Sequence, residues 1–222
     1  MFVTTLLNFA LAYEKPAEKV KRKLFSSLQD MLSGDKKLKN EGRIRILEIG
    51  IGTGTNFKYY PKGCQLIPLD SNEEVKTKLI ENCKNYPHIE LKNLIVAEAE
   101  NMEEIEDNSV DAVVCSLVLC SAKDPKRILR EIKRVLLPGG KLFFLEHVHA
   151  ENGTFKNKLQ SALTVTNIWP ASALGCELNR HTGETILKAG FSEVDIKKTD
   201  IVIEKPYMLR LMNPHIYGIA TK

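Results

Sequence analysis

Two acids bracket a glycine-rich run in the first third of the chain: Glu48-Ile49-Gly50-Ile51-Gly52-Thr53-Gly54, then Asp70, 20 residues after Gly50. Glycines so placed let a turn bring its backbone close to a ligand and adopt dihedrals that other residues avoid. The spacing G-x-G-x-G is not the G-x-G-x-x-G of dinucleotide-binding turns. A carboxylate at Glu48 would repel a pyrophosphate and suits a cationic or zwitterionic ligand. Asp70 closes the next apolar run, where an acid hydrogen-bonds ribose hydroxyls. A ribose with a positively charged tail describes S-adenosylmethionine. The candidate cofactor residues are Glu48, Gly50, Gly52, Gly54, Asn56, Asp70 and Ser71. Glu98, Ala99 and Glu100 join them in a loop expected to border the adenine, and Cys115 and Ser116 at a strand end expected to face the methionine half.

Glu146 and His147 end another apolar run and are the catalytic candidates. His147 has the intrinsic pKa of a general base, although hydrogen bonding to neighbouring loops explains a histidine there equally well. His147-x-His149 has no third ligand at metal-site spacing, so no metal is expected. Cys115 and Cys120 read as small buried hydrophobes.

These groups need a scaffold that brings strand ends together. Short apolar runs alternate with amphipathic stretches: strands over Arg45–Ile49, Gln65–Leu69, Leu91–Val96, Val110–Ser116 and Leu142–Leu145, and helices over Glu73–Asn82 and Pro125–Leu136. Asp124 caps the second helix, Pro125 suits its first turn, and Pro138-Gly139-Gly140 is expected to terminate it. Alternation of this kind gives βαβ units and a parallel sheet. After a polar and aromatic stretch, Asn152–Asn179, come a helix over Thr182–Ala189 and strands over Val194–Ile196 and His215–Thr221. The expected fold is α/β, a doubly wound, mostly parallel seven-stranded Rossmann-like sheet with the last strand antiparallel. The acceptor pocket is expected along Phe155–Leu178, with Phe155 and Trp169 as apolar surface, although core packing explains Trp169 equally well.

The chain has 222 residues and a net charge of +4. Residues 14–43 hold nine Lys/Arg against five acids, residues 1–13 hold no charged side chain, and residues 44–222 net zero. Residues 1–42 therefore read as an apolar tip and basic helix, a lid or membrane-surface segment, and residues 43–222 as the catalytic domain. A neutral domain lacks the basic face of a nucleic-acid-binding protein. The tip has 13 residues, against the roughly 20 that span a bilayer. It either packs on the domain or lies in a membrane interface with the basic cluster on anionic lipid, or else fronts a solvated helix. Five cysteines without a C-x-x-C pair read as reduced thiols in a cytoplasmic environment. No feature sets the oligomeric state.

The runs Val113-Val114-Cys115-Ser116-Leu117-Val118-Leu119-Cys120-Ser121 and Leu142-Phe143-Phe144-Leu145-Glu146-His147-Val148 closely resemble the methyltransferase-like seven family of alkyl thiol methyltransferases. So do Gly54-Thr55-Asn56-Phe57, Tyr60-Pro61-Lys62-Gly63-Cys64, Lys21-Arg22-Lys23-Leu24-Phe25-Ser26 and Pro214-His215-Ile216-Tyr217-Gly218. The resemblance spans about residues 20–222. It implies a class I methyltransferase that moves a methyl group from S-adenosylmethionine to small alkyl or aryl thiols at the cytosolic face of the endoplasmic reticulum or lipid droplets. The chain departs from the family in a shorter apolar tip, in Ile51 where the family has Cys, and in Glu98-Ala99 where it has a Pro-Gly-like pair. Another small or lipid acceptor, quinone or sterol-like, and a non-catalytic cofactor-binding protein on a lipid surface are the competing readings.

Overall fold

The computed structural model describes residues 2–222, Phe2 by its backbone alone; Met1, the first residue of the apolar tip, lies outside the described residues. The elements in chain order are α1 (Phe2–Phe25), α2 (Lys36–Asn40), β1 (Arg45–Ile49), β2 (Gln65–Asp70), α3 (Lys76–Cys83), β3 (Glu90–Leu91), β4 (Ile95–Val96), β5 (Val110–Ser116), α4 (Pro125–Val135), β6 (Leu136–His147), α5 (Phe155–Val165), α6 (Ile168–Ser172), α7 (Thr182–Leu187), β7 (Glu193–Thr199) and β8 (His215–Thr221).

The sheet runs β3-β2-β1-β5-β6-β8-β7, with β4 also on β2. Strands β1 to β6 pair in parallel, and β8 is antiparallel to both β6 and β7. The strand expected over Leu91–Val96 is broken into β3 and β4, two residues each, so eight pieces fill seven positions. Strand order reverses between β1 and β5, which places a ligand crevice at the carboxyl ends of those strands.

Apolar side chains cover both faces. One layer packs α1, through Ala17, Leu24 and Phe25, on Ile46, Val114 and Phe143. The other packs Ile128, Leu129, Ile132 and Val135 of α4 on Leu47, Val113 and Phe144. Asp124 caps α4 as expected, accepting from the Lys126 and Arg127 amides. The helix ends at Val135, and Pro138-Gly139-Gly140 lies inside β6, where the pairing with β5 slips between Val110 and Ala112. The glycines there make a bulge rather than a helix stop.

From Phe2 onward the apolar tip is part of one continuous 24-residue helix. No helix among the described residues is long and apolar enough to cross a membrane. Tyr13, Ala17, Lys21 and Leu24 recur at helical spacing and are buried, so α1 docks by one stripe. Not all of its basic surplus is solvated. Lys21 is 3% exposed, and its Nζ donates to Glu14 Oε2 at 2.6 Å. Burial lowers the Lys21 pKa, and Glu14 opposes that. Removing one partner of such a pair costs about 3–5 kcal/mol, whereas replacing a buried ion by an apolar group of similar size is often neutral. Glu14→Gln is therefore expected to destabilise the chain by about 2–3 kcal/mol, below that range because Glu14 is partly exposed, and Lys21→Met by less. Denaturant unfolding of both variants checks the order; equal stability for Glu14→Gln and the parent would contradict it.

Candidate active site

The turn after β1 is built for close approach. Gly50 and Gly52 have φ of +63° and +54°. A Cβ on Gly50 would stand 2.5 Å from the Val118 side chain, and one on Gly52 3.1 Å from Leu6 of α1. Larger residues at Gly50 would clash as well as strain the backbone. Asp70, at the end of β2, ties this turn to the next: its Oδ2 accepts the Gly52 N–H at 2.9 Å and its Oδ1 the Asn72 N–H at 3.0 Å. Burial raises its pKa against those bonds. Each carboxylate oxygen keeps a second acceptor position, as pairing with two ribose hydroxyls requires.

Glu48 is tied to the segment that follows the turn. Its Oε1 accepts from Asn56 Nδ2 at 2.8 Å and its Oε2 from the Tyr60 hydroxyl at 2.6 Å. Burial pushes its pKa up to about 7, opposed by the Tyr60 and Asn56 bonds and by Lys21 and reinforced by Asp70. These bonds anchor the segment after the turn, and each Glu48 oxygen keeps a second acceptor position for the expected cationic tail. Asn56 Oδ1 and Ser116 Oγ are buried without hydrogen-bond partners. These two free acceptors, the glycine cradle and Asp70 fit a cofactor that brings ribose hydroxyls and an ammonium group.

The remaining cofactor candidates divide. Ala99 is buried. Glu100 accepts the Lys123 and Asp124 amides at 3.0 and 3.2 Å, so it braces the entry to α4. Glu98 is exposed beside Lys123, and Ser71 is exposed. Cys115 is fully buried, its sulfur 3.7 Å from Glu146 Oε1.

At the end of β6, Glu146 is 0% exposed. Its Oε1 accepts the Val118 and Leu119 amides at 2.9 and 3.1 Å, and its Oε2 the Cys120 amide at 3.3 Å. Glu146 therefore holds the loop after β5, a positioning role beside the catalytic one expected of it. The same loop carries Leu117 at φ +57°, a strain of about 1–3 kcal/mol that surrounding contacts must hold.

His147 is buried with Nε2 2.9 Å from Cys176 Sγ, and its Nδ1 has no partner. Burial disfavours its protonation, but Cys120 and Glu146 outweigh that and raise its pKa. The Cys120 sulfur completes a cluster whose ligand atoms lie within 4.8 Å of one another. The Trp169 indole N–H donates to Cys176 Sγ at 3.4 Å. His149 does not join them; it meets Asn157 and Ser161 and stacks edge-on against His181. Spacing hid this group because its members come from two loops and a strand end that are far apart in sequence.

A cavity of about 320 Å³ adjoins the two sulfurs, with walls that include Phe9, Leu117, Trp169, Leu209 and Met212. Trp169 lines it as expected, whereas Phe155 is 81% exposed and lies outside it. The wall from α1 (Thr5, Asn8 and Phe9) and the wall from residues 206–212 had no sequence signal beyond their apolar content. Helix α1 thus covers the glycine turn through Leu6 and closes one side of the cavity through Phe9.

Glu48 yields a pH signature. Its native pKa lies above the ordinary 4.5, so the folded chain keeps a proton that the unfolded chain releases, and stability falls as pH rises from about 4.5 to about 7. The drop is about 3 kcal/mol at 1.36 kcal/mol per unit. Glu48→Gln is expected to flatten that part of the curve, measured by denaturant unfolding at pH 5 and pH 8; parallel curves would contradict the assignment.

With the geometry in place, the chain can be compared with known proteins. Residues 47–144 match the family model of a methyltransferase domain. The chain is 39% identical over 217 residues to the human thiol S-methyltransferase TMT1A, covering 98% of this chain and 84% of that protein. It is 40% identical over 213 residues to TMT1B of Rattus norvegicus, covering 96% of this chain and 82% of the relative. Among solved structures, an S-adenosylmethionine-dependent methyltransferase of Thermotoga maritima superposes over all of this chain and 96% of its own, with a TM-score of 0.65 at 18% identity, and so shares the fold. Identity at this level over nearly the whole length means that the chain belongs to the thiol S-methyltransferase family, on the α/β fold of the class I S-adenosylmethionine-dependent methyltransferases.

Proposed function

We propose that this chain transfers a methyl group from S-adenosylmethionine to small alkyl or aryl thiols. The observation that carries the reading is the apolar cavity at the carboxyl edge of the sheet, bounded by Cys120 and Cys176 with His147 behind them and sharing the 117–121 loop with the glycine turn. Gly50, Gly52, Asp70, Asn56 and Ser116 are the residues that would hold the cofactor, with Ala99 at the adenine. The cofactor supplies an activated methyl on a sulfonium, so the protein's work is alignment and exclusion of water. Leu117, Trp169 and Met212 give the acceptor apolar contact, and Phe9 and Leu6 of α1 shield the crevice. Among the described residues no charged side chain lines the cavity, which suits a small uncharged acceptor.

Asp70→Ala removes the ribose acceptor and one tie across the turn. It is expected to weaken S-adenosylmethionine binding by 10- to 100-fold, about 1.4–2.8 kcal/mol, measured by calorimetry. Labelled methyl transfer across a panel of small thiols tests the activity itself: thioether products are expected, and tight cofactor binding without product on any thiol would overturn the reading.

The exposed side of α1 supports a proposal for location. We place the chain in the cytosol, in peripheral contact with an endoplasmic reticulum or lipid-droplet surface. Leu11 stands 79% exposed on α1, one turn before the exposed Lys15, with the exposed Lys19, Arg22 and Lys23 further along the same helix. An apolar residue followed along one helix by cations suits an anionic interface. Leu11→Glu is expected to reduce sedimentation with anionic liposomes severalfold while leaving turnover of a water-soluble thiol unchanged. Unaltered sedimentation would contradict the placement.

A further inference from the structure

Cys120, His147 and Cys176 come from the loop after β5, the end of β6 and the loop after α6, and their ligand atoms converge within 4.8 Å, all three buried. Hydrogen bonds between the loops fix this convergence. The Glu177 N–H donates to the Cys120 carbonyl at 2.9 Å, Arg180 Nη2 to the Ala122 carbonyl at 2.7 Å, and the Cys120 N–H to Glu146 at 3.3 Å. As a hydrogen-bonding group the cluster is poorly satisfied. His147 is 0% exposed, one ring nitrogen faces a sulfur, and the other has no partner. As a ligand set it is well matched, since two sulfurs and an imidazole select zinc.

We propose that Cys120, His147 and Cys176 bind one zinc ion whose open fourth position faces the apolar cavity, and that the acceptor thiol takes that position. Three protein ligands with one open position are the pattern of a catalytic rather than a structural zinc. Both cysteines line the cavity, and among the described residues Cys64, Cys83 and Cys115 stand outside the cluster. The proposal deepens the thiol reading above and rests on it. A free thiol of pKa ~8.5 is only a few per cent ionised at neutral pH, whereas a metal-bound thiol is deprotonated outright. On binding zinc, the acceptor S–H releases its proton to solvent. A sulfur lone pair then forms the new bond to the donor's methyl carbon as the donor's C–S bond breaks, its electron pair remaining on the donor sulfur. Zinc changes neither charge nor electron count, and the thioether formed, a neutral and weaker ligand, departs.

The full chain, purified with a phosphine reductant and without chelator, is assayed for metal by mass spectrometry. One zinc per chain is expected, lost in Cys120→Ser, His147→Ala and Cys176→Ser variants that keep the parent's circular dichroism. The parent loaded with Co²⁺ provides a test that does not depend on the variants folding: intense visible bands of a tetrahedral, thiolate-bound ion are expected, shifting when ethanethiol is added. Absence of thiolate-to-cobalt charge transfer, or bands indifferent to ethanethiol, would overturn the proposal. Full-rate methylation of ethanethiol by metal-free chain would also overturn it while leaving the thiol reading intact. A cobalt spectrum that answers to ethanethiol in a chain that methylates no thiol would keep the metal site and overturn the reading of function.

Discussion

The Glu146 carboxylate is the interaction on which both halves of the site depend. It is wholly buried and takes the amides of Val118, Leu119 and Cys120. Burying a carboxylate costs several kcal/mol, and hydrogen bonds to a charged group return about 1.5–3 kcal/mol each, so three of them offset the penalty only when the loop is in place. That loop sets Val118 against Gly50 on the cofactor side and Leu117 and Cys120 against the cavity on the acceptor side. One buried charge thereby fixes the relation between the two compartments.

The N-terminal helix depends on the same region from the other direction. Tyr13 stacks with Phe9 and packs on His215, whose ring lies edge-on to His147. Burial, with His147 nearby, pulls the His215 pKa down to about 3, so its ring is neutral beneath the Tyr13 ring at physiological pH. Leu6 lies on Gly52 and Phe9 enters the cavity wall. A helix that rests on both compartments couples access to the site with whatever its exposed side meets.

Much of the scaffold was legible because its signals are local. The glycine run, Asp70 at a strand end, the Asp124 cap and the alternation of apolar runs each need only neighbouring residues to be read. The exceptions share a physical cause. Leu91–Val96 has the composition of a strand but pairs with β2 only at its two ends. Pro138-Gly139-Gly140 is a helix stop by composition, yet β5 recruits it into a bulged strand. In the site, Glu48 and Glu146 were recognisable as acids at strand ends, but their burial and the partners that claim their oxygens depend on the surrounding loops. The approach of Cys120 and Cys176 to His147 spans 27 and 29 residues, and no spacing rule encodes it. Phe155 shows the converse: an aromatic residue in the right segment turned out to solvent.

A structure of the chain with S-adenosylhomocysteine and ethanethiol bound together would test the account most directly. The account predicts the ribose on Asp70 beside the glycine turn and the thiol sulfur at the corner formed by Cys120, His147 and Cys176. A thiol sulfur bound elsewhere, or an adenosyl group that leaves Asp70 bonded only to Gly52 and Asn72, would contradict it.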